Sequence, residues 1–233
     1  SLPFIWSLLG GPVRIEGTPI WPDCKGGSEE WYTISPMADL FTQQLQTDIA
    51  AHAPLADRLR PASLDEYIGQ HHIVGPGSTV RSAIERDEVF SLLLWGPPGT
   101  GKTTLAKIIA SASNSAFVQL SGVLSGKEDV LQAVRQAEQE RALHRRRTIL
   151  FVDEIHRWNK AQQDALLPYV ESGAITFIGA TTEDPSFHVI SPLLSRTKVF
   201  VLERLSEAEL SQVIQRAMHH DQGYARQHIT LTE

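Results

Sequence analysis

The chain has 233 residues, 42% of them hydrophobic and 21% charged, with 21 Lys and Arg against 27 Asp and Glu. That length holds one sizeable α/β core plus some additional material, and the formal net charge of -6 excludes a surface that is basic as a whole, so any nucleic-acid contact has to be local. The single cysteine, Cys24, excludes a disulfide framework and a multi-cysteine zinc site, and no apolar run reaches the roughly 18 residues that cross a bilayer, so a cytoplasmic protein with no membrane contact is expected.

Residues 1–36 scatter aromatics and glycines without period, and Leu2 to Val13 lacks the basic leader and cleavage site of a signal peptide. This segment is read as a non-native or disordered N-terminal extension, with a genuine arm or partner-binding peptide as the alternative and Met37 as the biological start. Residues 37–56 form a polar, glutamine-rich linker. From residue 57 the chain reads as domain. Pro61 ends any helix before it, and Ser63-Leu-Asp-Glu66 has the form of a capping box opening a short helix that stops near Gly69. His71 and His72 are adjacent and would diverge from either a strand or a helix, so a loop role near the nucleotide base is preferred to a metal pair. Ser78 can cap a further short helix carrying Val80, Ala83 and Ile84.

Residues 91–104 organise the rest. Leu92 to Trp95 have the length and continuity of a buried parallel strand, and Leu105, Ala106, Ile108 and Ile109 recur at helical spacing. Between them Gly96-Pro97-Pro98-Gly99-Thr100-Gly101-Lys102-Thr103, followed by Thr104, fits G-x-x-x-x-G-K-T. Its glycines let backbone N–H groups and a helix N-terminus face an anion without Cβ clashes. Lys102 adds charge for the β- and γ-phosphates, and the Thr103 hydroxyl suits Mg²⁺. The pattern predicts a nucleotide site.

A second strand is predicted over 116–120, then a helix capped at Ser125 with Val130, Leu131, Val134 and Ala137 on one face. Arg145, Arg146 and Arg147 are a basic run, read as a solvated loop with DNA or subunit contact as the alternative. Thr148 to Val152 is a third strand emptying into Asp153 and Glu154, where Asp153 can hold a water on Mg²⁺ and Glu154 can polarise the attacking water. Asn159 opens a helix through Ala165, Leu166, Tyr169 and Val170, kinked by Pro168 and ended by Gly173. Residues 174–180 make a fourth strand whose exit carries Thr181 and Thr182, and 198–202 a fifth, preceded by Arg196. Ser206 and Glu209 cap a last helix, with Leu205 stapled onto Leu210. Its stripe of Leu210, Val213, Ile214 and Ala217 has no obvious partner in the remaining sequence, which suggests a longer protein.

Together G-P-P-G-T-G-K-T, I-L-F-V-D-E-I-H, G-A-T-T-E and L-L-S-R resemble the AAA+ ATPases of the clamp-loader and branch-migration branch. The longer strings R-L-R-P-A-S-L-D-E-Y-I-G-Q-H-H-I-V-G and T-I-L-F-V-D-E-I-H-R-W-N-K-A-Q-Q-D-A-L-L-P-Y-V-E-S-G resemble the replication-associated recombination protein A (MgsA) family over about residues 54–220. The resemblance implies an α/β P-loop NTPase AAA+ core over 57–204, with a parallel five-stranded sheet of order 5-1-4-3-2 flanked by helices, and the start of a helical lid over 205–233. It implies that Tyr67, Ile68 and Gly69 lie against the adenine, that Thr182 is the sensor 1 residue, and that Arg196 is an arginine finger reaching a neighbouring subunit. The sensor 2 arginine and the oligomerisation domain of the family have no counterpart here. Implied with them are ATP hydrolysis at Glu154, Lys102, Thr182 and Arg196, with Thr103 and Asp153 at Mg²⁺. Implied also are a homo-oligomer, DNA at forks, gaps or ends, and contact with single-strand-binding protein and the replication machinery. The competing readings are a Holliday-junction branch-migration motor, a clamp-loader-like ATPase, and an ATP-binding switch without turnover.

Overall fold

Five short apolar runs, each bounded by polar or glycine-rich turns, pair side by side in parallel: β1 Leu92–Trp95, β2 Ala116–Ser121, β3 Thr148–Asp153, β4 Thr176–Thr181 and β5 Lys198–Val201. The computed structural model describes residues 54–219 and, nearer the N-terminus, the backbone of a short antiparallel pair, Arg14–Ile15 with Thr18–Pro19. The chain divides into a unit of residues 1–51, which contains that pair, and a unit of residues 52–233, which contains the sheet. Cys24 and most of residues 1–36, the glutamine-rich linker and the end of the expected lid lie outside the described residues.

Across the sheet the strands run β2-β3-β4-β1-β5, which is the expected 5-1-4-3-2 read from the other edge. Because the pleat alternates side chains between faces, each central strand feeds two cores. Leu92, Leu94, Ile149, Phe151 and Ile178 pack on one side with Leu105, Ile108 and Ile109 of helix α4 (Lys102–Ala112). Leu93, Leu150, Val152 and Phe177 pack on the other with Val130, Ala133, Val134 and Ala137 of α5 (Lys127–His144). Each fully buried Leu, Ile or Phe contributes about 1.5–3 kcal/mol, so the two faces together hold the strand ends in register. Before β1 come α1 (Leu55–Arg58), α2 (His71–Val74) and α3 (Thr79–Glu85). Ser78 caps α3 as expected, its hydroxyl accepting from Arg81 N–H.

The structure departs from the sequence reading at several caps. Ser63 opens no helix: residues 61–70 are turns, the Ala62 N–H donates to Glu66 Oε2 at 3.0 Å, and the Glu66 carboxylate is also taken by Arg216 at 2.6 Å. A long-range pair thus replaces the local cap. The histidine pair is not in a loop but in α2, exposed, with His72 Nε2 2.9 Å from the Val201 carbonyl. At α5 the cap moves one residue on, to Gly126, whose N–H donates to Asp129 Oδ2 at 2.6 Å, while Ser125 Oγ accepts from Ser121 N–H instead.

Pro168 breaks rather than kinks its helix. Two separate pieces result, α6 (Lys160–Asp164) and α7 (Leu167–Glu171), because a proline in the first turn lacks only an N–H that needs no partner there. Two further short helices, α8 (Pro185–His188) and α9 (Ser191–Leu194), fill the connection from β4 to β5. The last helix, α10 (Glu207–His219), has the expected reciprocal cap between Ser206 and Glu209. Leu210, Val213 and Ile214 on it stay 40–47% exposed, so their stripe has no partner among the described residues.

Candidate nucleotide site

The site is built at the carboxyl ends of β1, β3 and β4. The turn after β1 passes under the end of β5, where a side chain at Gly96 would lie 2.3 Å from the Leu202 carbonyl oxygen, so only glycine fits. Gly101, at the head of α4, has φ +88°, a conformation that favours glycine, and it sits over the Tyr67 ring. Tyr67 is buried and its hydroxyl donates to the Thr100 carbonyl at 3.1 Å. Burial pushes that phenol above its ordinary pKa, which keeps it a donor. Pro98 and Gly99 form the exposed tip of the turn.

Lys102 is the first residue of α4 and is only 7% exposed. Its ammonium donates to the Gly96 and Pro97 carbonyls at 2.8 and 2.9 Å, which keeps it inside the turn. Burial lowers its pKa, with Glu154 and Asp153 opposing that shift. A buried cation beside free helix-end amides is a strong attractor for phosphate oxygens. Thr100 Oγ1 donates to the Pro97 carbonyl at 3.0 Å, and Thr104 Oγ1 accepts from Arg60 at 2.9 Å, which ties the segment before α2 to the head of α4.

Asp153 ends β3, and its Oδ2 lies 3.5 Å from Thr103 Oγ1. Burial raises the Asp153 pKa, helped by the neighbouring Glu154 charge and opposed by the Glu154 N–H, Lys102 and Thr103. These are two hard oxygen donors without a further acidic cluster among the described residues, which matches the few protein ligands that Mg²⁺ takes when phosphates and water complete its shell. The residues fit that ion. Glu154 follows with φ +53°, a strained setting that costs of order 1–3 kcal/mol. Its Oε2 accepts from Thr182 Oγ1 at 3.2 Å and lies 3.1 Å from His156 Nδ1. The structure therefore brings Lys102, Thr103, Asp153, Glu154 and Thr182 together from three strand ends.

It does not bring Arg196 to them. Arg196 precedes the amino end of β5, and since β5 runs parallel to β1 with Lys198 opposite Leu92, it lies at the other end of the sheet from the turn after Trp95. Four residues of strand, roughly 13 Å, separate those ends. Its guanidinium bonds the Pro192 carbonyl at 2.8 Å and Ser195 Oγ at 3.0 Å, and pairs with Glu171 at 2.5 Å. Of Tyr67, Ile68 and Gly69, Tyr67 reaches the turn through its bond to Thr100, half-buried Ile68 follows it, and a side chain at buried Gly69 would meet Leu205 and Glu209, with Gln70 next to them hydrogen-bonded in both directions to the Glu203 backbone at 2.6 and 2.9 Å.

Sequence reasoning passed over two residues. His156 sits beside the catalytic-type carboxylate, and its only signal was its place two residues after Glu154. Gln163, buried on α6, donates to the Trp158 and His188 carbonyls and accepts from Ile190 N–H, which fixes the connection after β4. A hollow of about 580 Å³ at the amino end of the sheet is lined by Asp87, Asn114 and the three arginines, far from the carboxylates. Those arginines are not a free basic run: Arg146 donates to the Asn114 and Ser115 carbonyls at 2.9 and 3.0 Å, and Arg147 to the Asp87 carbonyl at 2.7 Å.

With this geometry, the family described as the Holliday junction DNA helicase RuvB P-loop domain matches residues 59–195. The chain belongs to the RuvB-type AAA+ P-loop family. Within it, the replication-associated recombination protein A of Haemophilus influenzae is 49% identical over 181 residues, and that of Escherichia coli strain K12 is 51% identical over the same length. In both cases 77% of this chain is covered, and the chain spans 40% of the relative's length. The solved structure of the Thermotoga maritima RuvB Holliday junction branch migration motor matches with a TM-score of 0.58 and 38% identity, over 69% of this chain and 54% of that one. The P-loop fold of this AAA+ chain implies nucleotide binding. Among the described residues no helix is long and apolar enough to cross a membrane.

Proposed function

We propose that this chain carries the ATPase core of a DNA-associated protein that hydrolyses ATP to ADP and phosphate in replication-fork maintenance, recombination and repair. The carrying observation is the convergence of Lys102, the Thr103–Asp153 pair and the Thr182-held Glu154 at one end of a parallel sheet. Lys102 and the amides at the head of α4 bind the phosphates, and Tyr67, Ile68 and Gly69 border the adenine. Thr103 and Asp153 hold Mg²⁺, which neutralises charge on the phosphates when bound. Glu154 takes the proton of the attacking water, and Thr182 keeps its carboxylate facing the site. Arg196, at the opposite end of the sheet, serves a neighbouring copy, so turnover depends on a homo-oligomer.

The relatives' name, replication-associated recombination protein, supports DNA as the partner; forks, gaps or ends as its form, single-strand-binding protein and the replication machinery beside it, and a place in the cytoplasm at the nucleoid belong to the proposal. The match to a branch-migration motor favours a second reading, movement on four-way junctions. Steady-state hydrolysis of Mg²⁺–ATP, measured against protein concentration with forked, gapped and four-way DNA, tests both. Activity per molecule that climbs with concentration and responds most to forked or gapped DNA is expected. Preference for the four-way junction supports the second reading, and ATP binding with no turnover at any concentration makes the domain a switch.

A further inference from the structure

Glu154 is held by more than Thr182. His156 stands on the short 3₁₀ turn Ile155–Arg157, with its side chain only 8% exposed, and its Nδ1 lies 3.1 Å from Glu154 Oε2 and 3.1 Å from Thr181 Oγ1. Thr181 Oγ1 accepts from Glu183 N–H at 3.0 Å and can donate its own proton to the Glu183 carbonyl at 3.1 Å, which leaves it an acceptor toward His156. Glu154, when ionised, is an acceptor as well. A hydrogen on Nδ1 suits both neighbours: Thr181 Oγ1 is its hydrogen-bond partner, and the Glu154 carboxylate oxygen stands beside it at ion-pair distance. The ring plane is set from the other side by His188, in an edge-on contact at 6.1 Å between centroids, and the turn is anchored by fully buried Ile155.

Thr182 Oγ1 donates to Oε2 of the carboxylate, and His156 Nδ1 stands within ion-pair distance of the same oxygen. Oε1 has no hydrogen-bond partner among the described residues, so it is the oxygen left for the water. From this we infer that His156 is a positioning residue for the hydrolytic step: its Nδ1–H fixes the rotation of the Glu154 carboxylate so that Oε1 faces the reacting water. The inference rests on the reading of Glu154 as the general base. It assigns the residue after Ile155 a role in the chemical step and none in nucleotide affinity, because no contact of His156 involves the phosphate turn. Small misplacements of a general base are costly, with roughly 100-fold losses for about 1 Å.

The test is turnover and ATP affinity measured on the same His156 variants. His156→Ala is expected to lower kcat roughly 10- to 100-fold and leave the nucleotide Kd within about twofold. His156→Asn, whose side-chain amide places a donor where Nδ1 stands, should recover most of that loss. His156→Gln, whose donor falls at the Nε2 position, should not. Unchanged kcat in the alanine variant overturns the inference, as does loss of ATP affinity, or an asparagine variant that folds with the wild-type Tm yet remains as slow as alanine. Should the wild-type chain itself show no hydrolysis, the general-base reading fails separately. The tautomer is then decided by ¹⁵N chemical shifts of the His156 ring at mildly alkaline pH, where Nδ1–H supports the assignment and Nε2–H overturns it.

Discussion

The two ends of the parallel sheet carry opposite chemistry. At the carboxyl end, a buried lysine and two half-buried carboxylates sit beside each other and are only partly satisfied: Lys102 borrows carbonyls from its own turn, Asp153 has a raised pKa, and Glu154 sits in a left-handed backbone conformation. At the amino end, Arg147 and Arg196 are exposed and Arg146 is half-buried, and each is matched to carbonyls or a carboxylate. The difference teaches which end is built to bind something and which is built to hold. Strain and desolvation accumulate where a ligand relieves them, and paired surface charge accumulates where the strands begin. Arg196 belongs to the satisfied end, so a catalytic role for it has to be played on another molecule.

The sharpest way to break that contrast is to separate binding from turnover at the two ends. Arg196→Ala is expected to lower hydrolysis about 10³-fold or more while ATP binding measured by calorimetry stays at the wild-type value. Weakened binding would place the arginine in its own chain's site. Glu154→Gln should lower turnover by about 10²–10⁴-fold and still bind ATP. Mixing the Glu154→Gln and Arg196→Ala proteins should recover part of the activity, because each supplies what the other lacks, and no recovery would count against action across subunits. Lys102→Ala should raise the nucleotide Kd by roughly 100-fold, about 2.7 kcal/mol, and a change under threefold would remove Lys102 from phosphate binding.

Smaller effects sharpen the same contrast through stability. A carboxyl whose pKa is higher in the folded chain than in the unfolded one binds its proton more tightly when folded. Asp153 thus favours the fold below its unfolded value near 3.8, and that contribution is lost as pH rises through its raised folded value. At neutral pH without divalent cations, Asp153→Asn is therefore expected to raise the Tm, by about 2–4 °C if the relief is near 1 kcal/mol, and to lose the stabilisation that Mg²⁺–ATP gives the wild type. A lowered Tm would contradict the strain assigned to that end. At the amino end the sign reverses. Arg146→Ala removes two bonds to carbonyls and should cost about 1 kcal/mol with ATP affinity unchanged. Arg147→Ala breaks an exposed pair with Asp87 and should cost less than about 1 kcal/mol, less still at high salt.

Much of the site was legible because its parts are contiguous in the chain. The spacing from Gly96 to Thr103 and the apolar run ending in Asp153 each carry their meaning locally, and the unbroken apolar runs Leu92–Leu94 and Ile149–Val152 announce strands buried on both faces. Caps were less legible. Ser63-x-x-Glu66 has the letters of a capping box, yet Glu66 is claimed by Arg216, 150 residues away, and a local pattern cannot register that competitor. The arginines at 145–147 look like a free basic run until the Asn114, Ser115 and Asp87 groups that occupy two of them are in view. His156 was visible in D-E-I-H, but its hydrogen-bond partner Thr181 lies one strand away, and its nearness to the Glu154 carboxylate is set by the fold.

The sequence alone determined the succession of the five strands, the phosphate turn, and the two carboxylates at the end of β3, since each depends on covalent spacing and side-chain period. Tertiary structure decided what those residues do to one another: that Thr182 donates to the Glu154 oxygen beside which His156 stands, that Asp153 meets Thr103, and that Arg196 stands at the far end of the sheet from Lys102. The physical reason is the pairing of parallel strands, whose order and register place residues distant in the chain at one end or the other, and burial and hydrogen-bond competition are settled only there.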